Sequence, residues 1–385
     1  MIVYYVLRSY FYDGMGRWYW NYLATIHPAV PHFIPTGDWG PVENPPRHVD
    51  EILAAPWMGD FPLPKLTPPA YRHGSSAVTA NLISPAIVKI HIFSVPSEKA
   101  ASKRRFIRSV SPHLNMPAEY RHLVEIKFVM GYFLKDGKED PEAEKLLEEE
   151  QKEHGDLIRL PGLKNGENLR DGKILSWMRA IGLHEDGGRD AWWLFKCDDD
   201  TVMNLPNFLD DLLSMDAQKP TYVGTSLNRW PPYHWHFTGM LTGYSHGVLK
   251  SLAHGIKHMK QEDVEAAWDD DVLMGELMYT LPSNHECRPS GKTTLRDLPS
   301  ICDPLNPPPW GYTGTPPNPH PRTSLVLHDY VRRAGDKWLW WIKGDIARHS
   351  FKEEMYYQWE WDERIKGKMW VPPKWLEGLK DPGLA

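Results

Sequence analysis

Cysteine is scarce in this chain. Cys197, Cys287 and Cys302, three in 385 residues, are too few for a disulfide framework and lack zinc-ligand spacing. Cys287 and Cys302 could pair in an oxidising compartment, which leaves Cys197 as a buried thiol beside acidic residues. There is no Asn-x-Ser/Thr acceptor for N-glycosylation. No uncharged apolar run reaches the ~18 residues that a membrane-spanning helix needs. The aromatic N-terminus is interrupted by Arg8, Asp13 and Arg17 and does not have the layout of a signal peptide. Excess positive charge is also missing. With a net charge of −6 and Lys and Arg scattered along the chain, nucleic acid is not an expected partner.

What is abundant is proline, with 35 residues, and tryptophan, with 18. Proline recurs from Pro28 to Pro69, so residues 1–85 read as a stem or wrapping arm. From Ala86 the pattern changes. AIVKIHIFSV (Ala86–Val95) is a β-branched run suited to a buried strand, and EKAASKRRFIRSV after it reads as a helix carrying Arg104, Arg105 and Arg108. That basic cluster is either a solvated helix face or a contact for the phosphates or base of a nucleotide at the first β–α connection. VEIKFVMGYF (Val124–Phe133) is a second strand. A helix starts at Asp140-Pro141, and DLIRL is a short third strand. An amphipathic helix through Ile174, Trp177, Met178 and Ile181 is stopped by Gly182. This alternation predicts an α/β domain over 86–345, with a mixed, mostly parallel sheet flanked by helices. Residues 282–323 form a long loop rich in Pro and Gly, and TSLVLHDYV (Thr323–Val331) is a last strand carrying His328. The Trp-rich residues 346–385 read as a surface extension.

The densest signal is WWLFKCDDDTVMN, Trp192–Asn204. Four large apolar residues lead into Asp198, Asp199 and Asp200, which is the pattern of a buried strand leaving a sheet. Adjacent carboxylates repel by about 1 kcal/mol per close pair even at high dielectric. One of them can cap the helix that follows, where Leu205, Phe208, Leu209 and Leu212 repeat at i, i+3, i+4 and i+7. Three in a row point further, to a divalent cation with oxygen ligands. A second triplet, Asp269, Asp270 and Asp271, opens another helix.

Several segments, in order, resemble the inverting β-1,3-glycosyltransferases of the galactosyltransferase and Fringe type, glycosyltransferase family 31. Arg104, Arg105, Ile107, Arg108 and Ser109 match its RRxxIRxTW motif. Asp156, Asn168, Leu169 and Lys173 match its GDII…NLTLKT segment, and FKCDDDTVMN resembles its K-x-DDD-x-x-x-N motif. WPPY with GYSHGVL resembles the acceptor-side region, and DDVLMG stands where the family has EDVYVG. The resemblance runs from about Ala86 to about Trp341 and implies a GT-A-like nucleotide-sugar-binding domain.

It also implies a set of roles. Asp200 and Asp198 would bind Mn²⁺ (or Mg²⁺), joined by His328, which matches the family's C-terminal metal-binding histidine. Ser94, Pro96, Arg104, Arg108, Lys173, Asp198 and Asp199 would line the site of a UDP-sugar donor. Asp271 would be the general base for a hydroxyl of a glycan, glycoprotein or glycolipid acceptor. The family's usual membrane anchor has no counterpart in this sequence, so a Golgi setting would require an anchor not present in it. Two other classes compete. Asp198-Asp199-Asp200-Thr201-Val202 also fits D-x-D-x-[TV], the signature of haloacid-dehalogenase phosphohydrolases, in which Asp198 would be the nucleophile. A non-catalytic glycan-binding relative would instead use the tryptophans, whose indoles suit sugar rings.

Overall fold

A computed structural model of the chain describes residues 63–68, 85–132, 134–135, 138–160, 173–182, 191–218, 221–225, 237, 239–249, 271, 274, 326–330, 334–336 and 345–384. Strand β1 (Ala86–Phe93) is buried along its whole length and lies between two parallel neighbours, β2 (Val124–Met130) and β6 (Ala191–Asp198). A strand covered on both faces reads as an almost unbroken apolar run, which is why AIVKIHIF was legible. Its two polar residues are paired. Lys89 and His91 both reach Glu125 on β2, and His91 Nδ1 accepts a hydrogen bond from Trp177 Nε1 at 2.8 Å.

Helix α1 (Glu98–Ser109) follows β1 and is capped by Ser97, whose hydroxyl accepts from the amide of Ala100. Past β2 comes a two-residue hairpin pair, β3 (Leu134–Lys135) and β4 (Lys138–Glu139). Helix α2 (Pro141–His154) then begins where Asp140-Pro141 predicts, with the Asp140 carboxylate accepting from the amides of Glu142 and Ala143. It ends at Gly155, whose φ of 68° is the left-handed cap that glycine adopts without strain. Strand β5 (Leu157–Arg159) pairs parallel with β2, and the short helix α3 (Lys173–Trp177) runs on into a π-helical turn, Met178–Gly182.

After β6 come β7 (Val202–Met203) and α4 (Leu205–Ser214), then β8 (Thr221–Gly224), β9 (Leu241–Ser245) and β10 (Val326–Asp329). In α4 the expected stripe Leu205, Phe208, Leu209 and Leu212 is buried, and the Phe208 ring meets Phe195 of β6 edge-on at 4.8 Å. The seven strands form one sheet in the order β10-β8-β9-β6-β1-β2-β5. Six run parallel, and β9 alone is antiparallel to its neighbours. The domain is therefore a mixed α/β fold with a mostly parallel sheet flanked by helices.

A second sheet joins β11 (Ala334–Asp336), β12 (Ala347–His349) and β7 in that order. Residues 346–384 of the expected surface extension are instead built into the domain. Ile346, Ala347, Trp370 and Leu376 belong to the main core, and Trp370 Nε1 donates to Asp210 of α4. Helix α5 (Glu354–Glu360) inserts Tyr357, whose hydroxyl donates to the Thr201 carbonyl at 3.0 Å. The tryptophans here alternate between core and surface, so an average over the segment hides those that anchor it. Of the N-terminal arm, residues 63–68 dock on the domain: Leu66 is buried in the core, and the Pro64 carbonyl accepts from Trp192 Nε1. Among the described residues no helix is long and apolar enough to cross a membrane.

Candidate metal centre

The chain runs from β1 through β2 to β5 in one direction across the sheet, and β6 then lies on the opposite side of β1. In an open parallel sheet the crevice beyond the carboxyl ends at such a reversal is where ligands bind. Here that crevice lies between Phe93 and Asp198, which are direct register partners on β1 and β6. Side chains alternate along a strand, so Trp193, Phe195 and Cys197 of β6 enter the core cluster and Lys196 and Asp198 share the other face.

Beyond Asp198 the chain turns, with the Thr201 amide donating to the Asp198 carbonyl. The turn is clamped from two sides. Met240 O accepts from the Asp198 amide and from the Thr201 hydroxyl, and the Phe351 amide donates to Asp200 O at 3.0 Å. Antiparallel pairing of β7 with β12 then sets His349 against the aspartates. His349 Nε2 lies 2.9 Å from Asp200 Oδ1 and 3.5 Å from Asp198 Oδ2.

Asp198, Asp200 and His349 each offer one ligand atom, and these atoms lie within 4.8 Å of one another. A cation with ligand bonds of ~2.0–2.6 Å spans that separation. Two carboxylates and an imidazole form a mixed oxygen–nitrogen set that suits a first-row divalent ion such as Mn²⁺. The group could therefore hold a metal ion. Burial alone would lower the His349 pKa, but hydrogen bonds and charge from Asp198 and Asp200 raise it to about 9. A bound cation would replace that proton as the counter-charge. His349 Nδ1 sits 3.0 Å from the Ser350 hydroxyl, which leaves Nε2 facing the carboxylates. Ser350 has a φ of 75°, a conformation that costs a non-glycine residue ~1–3 kcal/mol and tends to persist at functional sites.

The histidine of this group is His349, where the resemblance pointed to His328. His328 lies on β10, three strands from β6 and so roughly 14 Å away at ~4.8 Å per strand, and its side chain lies outside the described residues. The arginines have carboxylate partners that the sequence did not announce. Arg104 is fully buried and binds both oxygens of Glu150 (2.8 and 2.6 Å), the Ser94 hydroxyl and the Val95 carbonyl. Arg108 binds Glu150 and both oxygens of Asp156. They brace α1 against α2 and the end of β1, while Arg108 Nη1 is buried with no hydrogen-bond partner.

The remaining expected residues do gather at the crevice. Ser94 and Pro96 are buried at the carboxyl end of β1, and Lys173 is buried and donates to the Ser94 carbonyl. Asp199 is half-buried. Burial raises its pKa, Lys103 and Lys173 oppose the shift, and Asp200 and Asp198 reinforce it. Asp198 goes the other way: burial works against its charge, but Lys196 and His349 outweigh burial and hold it below the usual carboxylate range.

Asp271 joins the same place. Lys196 Nζ lies 3.3 Å from Asp198 Oδ1 and 3.4 Å from Asp271 Oδ1, so one ammonium links the two acidic motifs. Asn168, Leu169, Asp269, Asp270, Cys287, Cys302, the WPPY segment and the long loop 282–323 lie outside the described residues. Cys197 is buried and free. Sequence reasoning missed His349, Ser350, Lys196 and Gly239. The available signals were the short run IARH (Ile346–His349), which ends in a histidine, and a lysine two residues before the first aspartate. Compared with models of known protein families and with curated proteins, the chain matches none.

Proposed function

We propose that this chain is a metal-dependent inverting glycosyltransferase with a GT-A-like domain, moving a hexose or N-acetylhexosamine from a UDP-sugar to a glycan hydroxyl. The observation that carries the proposal is the meeting of Asp198, Asp200 and His349 at the crevice between β1 and β6, with Asp271 held beside them by Lys196. A bound Mn²⁺ or Mg²⁺ would supply Lewis-acid stabilisation of the negative charge that develops on the departing diphosphate. Asp198, Asp200 and His349 would hold that ion, and Ser94, Pro96 and Lys173 would border the nucleotide.

Asp271 is assigned as the general base. Its carboxylate is 22% exposed, open enough to meet an acceptor, and lies 3.4 Å from the Lys196 ammonium. In a single displacement the acceptor oxygen attacks the anomeric carbon, the bond to the UDP oxygen breaks on the opposite face, and the hydroxyl proton passes to Asp271. Substrate orientation by the surrounding walls supplies the proximity that such a displacement needs.

A panel of UDP-sugars assayed for Mn²⁺-dependent hydrolysis and transfer tests this reading. UDP should raise the melting temperature only when Mn²⁺ is present, and Asp200→Ala should abolish that shift. Asp271→Asn should keep the shift and lose transfer; normal turnover by this variant would remove Asp271 from its role. Metal-dependent phosphate release from a phosphomonoester would instead favour the phosphohydrolase reading through Asp198. Glycan binding without any UDP-sugar turnover would favour a non-catalytic relative.

A further inference from the structure

Lys196 is placed where neither a core residue nor a substrate ligand would be. Its side chain is 2% exposed, against 30% for Asp198 and 22% for Asp271, so it forms the floor under two carboxylates that reach solvent. Its ammonium lies 5.4 Å from the centre of the Phe93 ring, at the mouth of the crevice. A buried ammonium is strongly unfavourable unless its donors are satisfied. Lys196 has three N–H donors and three acceptors in reach: Gly239 O at 3.0 Å, Asp198 Oδ1 at 3.3 Å and Asp271 Oδ1 at 3.4 Å. Gly239 adds an independent constraint. A Cβ on Gly239 would lie 2.5 Å from Lys196 Nζ and 2.6 Å from Asp271 Oδ2, so a side chain there must displace the ends of that pair.

We infer that Lys196, with Gly239 as its backbone partner, is a positioning residue that clamps Asp271 at a fixed distance from the metal-ligand pair. This rests on the reading of Asp271 as the proton acceptor. The clamp joins two places far apart in sequence, β6 and Asp271. It does so from the buried side, beneath both carboxylates. A cation drawn to Asp198 competes with Lys196 for that carboxylate and leaves the ammonium with Asp271 and Gly239.

Two variants test the clamp. Lys196→Met keeps length and removes the charge. Gly239→Ala keeps every charge and adds a methyl where only the flexible ends of Lys196 and Asp271 must yield, so the fold survives by displacing the pair. Both should lower kcat for transfer ~100-fold, the scale of an ångström-level misplacement, while the dissociation constant for UDP in saturating Mn²⁺ stays within ~3-fold of the parent. Turnover within ~3-fold of the parent in Gly239→Ala would overturn the inference. So would a parallel loss of UDP–Mn²⁺ binding and turnover in both variants, which would make Lys196 a support of the metal turn alone. Failure of the transferase reading is distinguishable, because the parent would then turn over no UDP-sugar. In that case a double-mutant cycle of unfolding free energies across Lys196→Met and Asp271→Asn still reads the clamp: non-additivity supports it, and simple additivity overturns it.

Discussion

Two charged clusters flank the carboxyl end of β1, and they are built on opposite principles. On one side Arg104 and Arg108 meet Glu150 and Asp156, two cations against two anions, through bidentate contacts of 2.6–2.8 Å. Burial opposes the charge of Glu150, but the two guanidinium groups outweigh it and hold its pKa below the usual value. On the other side Asp198, Asp200 and Asp271 meet one buried ammonium, Lys196, and one imidazole, His349. The first cluster balances its charges. The second has a surplus of acid that remains partly open to solvent. A charge-balanced network holds helices in place, whereas an unbalanced one can change its interaction energy when a cation arrives.

Removing Arg104 breaks the comparison most severely. In Arg104→Met the Glu150 carboxylate and the Ser94 hydroxyl lose their buried partner, and breaking such a pair costs about 3–5 kcal/mol. Denaturant unfolding should show that loss, while Mn²⁺ affinity of the folded protein stays within a few-fold of the parent. If metal binding collapsed and stability held, the two clusters would have been assigned the wrong way round.

The second test changes the surplus cluster through pH. The folded-state pKa of His349 is raised to about 9 from an ordinary 6.5, so its stabilising contribution is complete below about pH 6.5 and is lost as pH rises through 9. In EDTA the protein should therefore lose about 1–3 kcal/mol of unfolding free energy between those limits, and His349→Gln should flatten the slope. Excess Mn²⁺ should flatten it too, because the cation replaces the proton between the carboxylates. A pH slope that persists unchanged in His349→Gln would show that another group controls it.

The same contrast explains what the sequence could and could not reveal. β1, β2, α2 and α4 were legible because each is governed by local rules: the unbroken apolar run of AIVKIHIF, the Asp140-Pro141 start and Gly155 stop, and the Leu205–Leu212 stripe. The aspartate turn was legible for the same reason, as a polar end to an apolar strand. Glu150 was not. It lies in a glutamate run that looks solvated, yet it is three residues after the buried Leu147 and so faces inward with it. That single turn of helix gives Arg104 and Arg108 a shared carboxylate partner. His349 was hidden for a different reason. Its strand has three residues and pairs with a two-residue strand, far too short for any periodic signal. Only long-range pairing of β12 with β7 distinguishes it from His328.

Asp199 gives the smallest and finest test. It lies between the two metal-site aspartates but is not in the ligand group, and its pKa is raised, by burial first and by Asp200 and Asp198 as well, against the pull of Lys103. A carboxylate whose folded-state pKa is raised costs stability when ionised, so at neutral pH the native fold carries a penalty that an amide would remove. Asp199→Asn should therefore stabilise the protein in EDTA by up to about 1 kcal/mol, the scale of one close like-charge pair. The gain should fade as pH falls and Asp199 itself takes up a proton. Mn²⁺ affinity should change little, since Asp198, Asp200 and His349 remain. A large drop in Mn²⁺ affinity would instead make Asp199 a ligand, and the aspartate turn would then have to rearrange when it binds the cation.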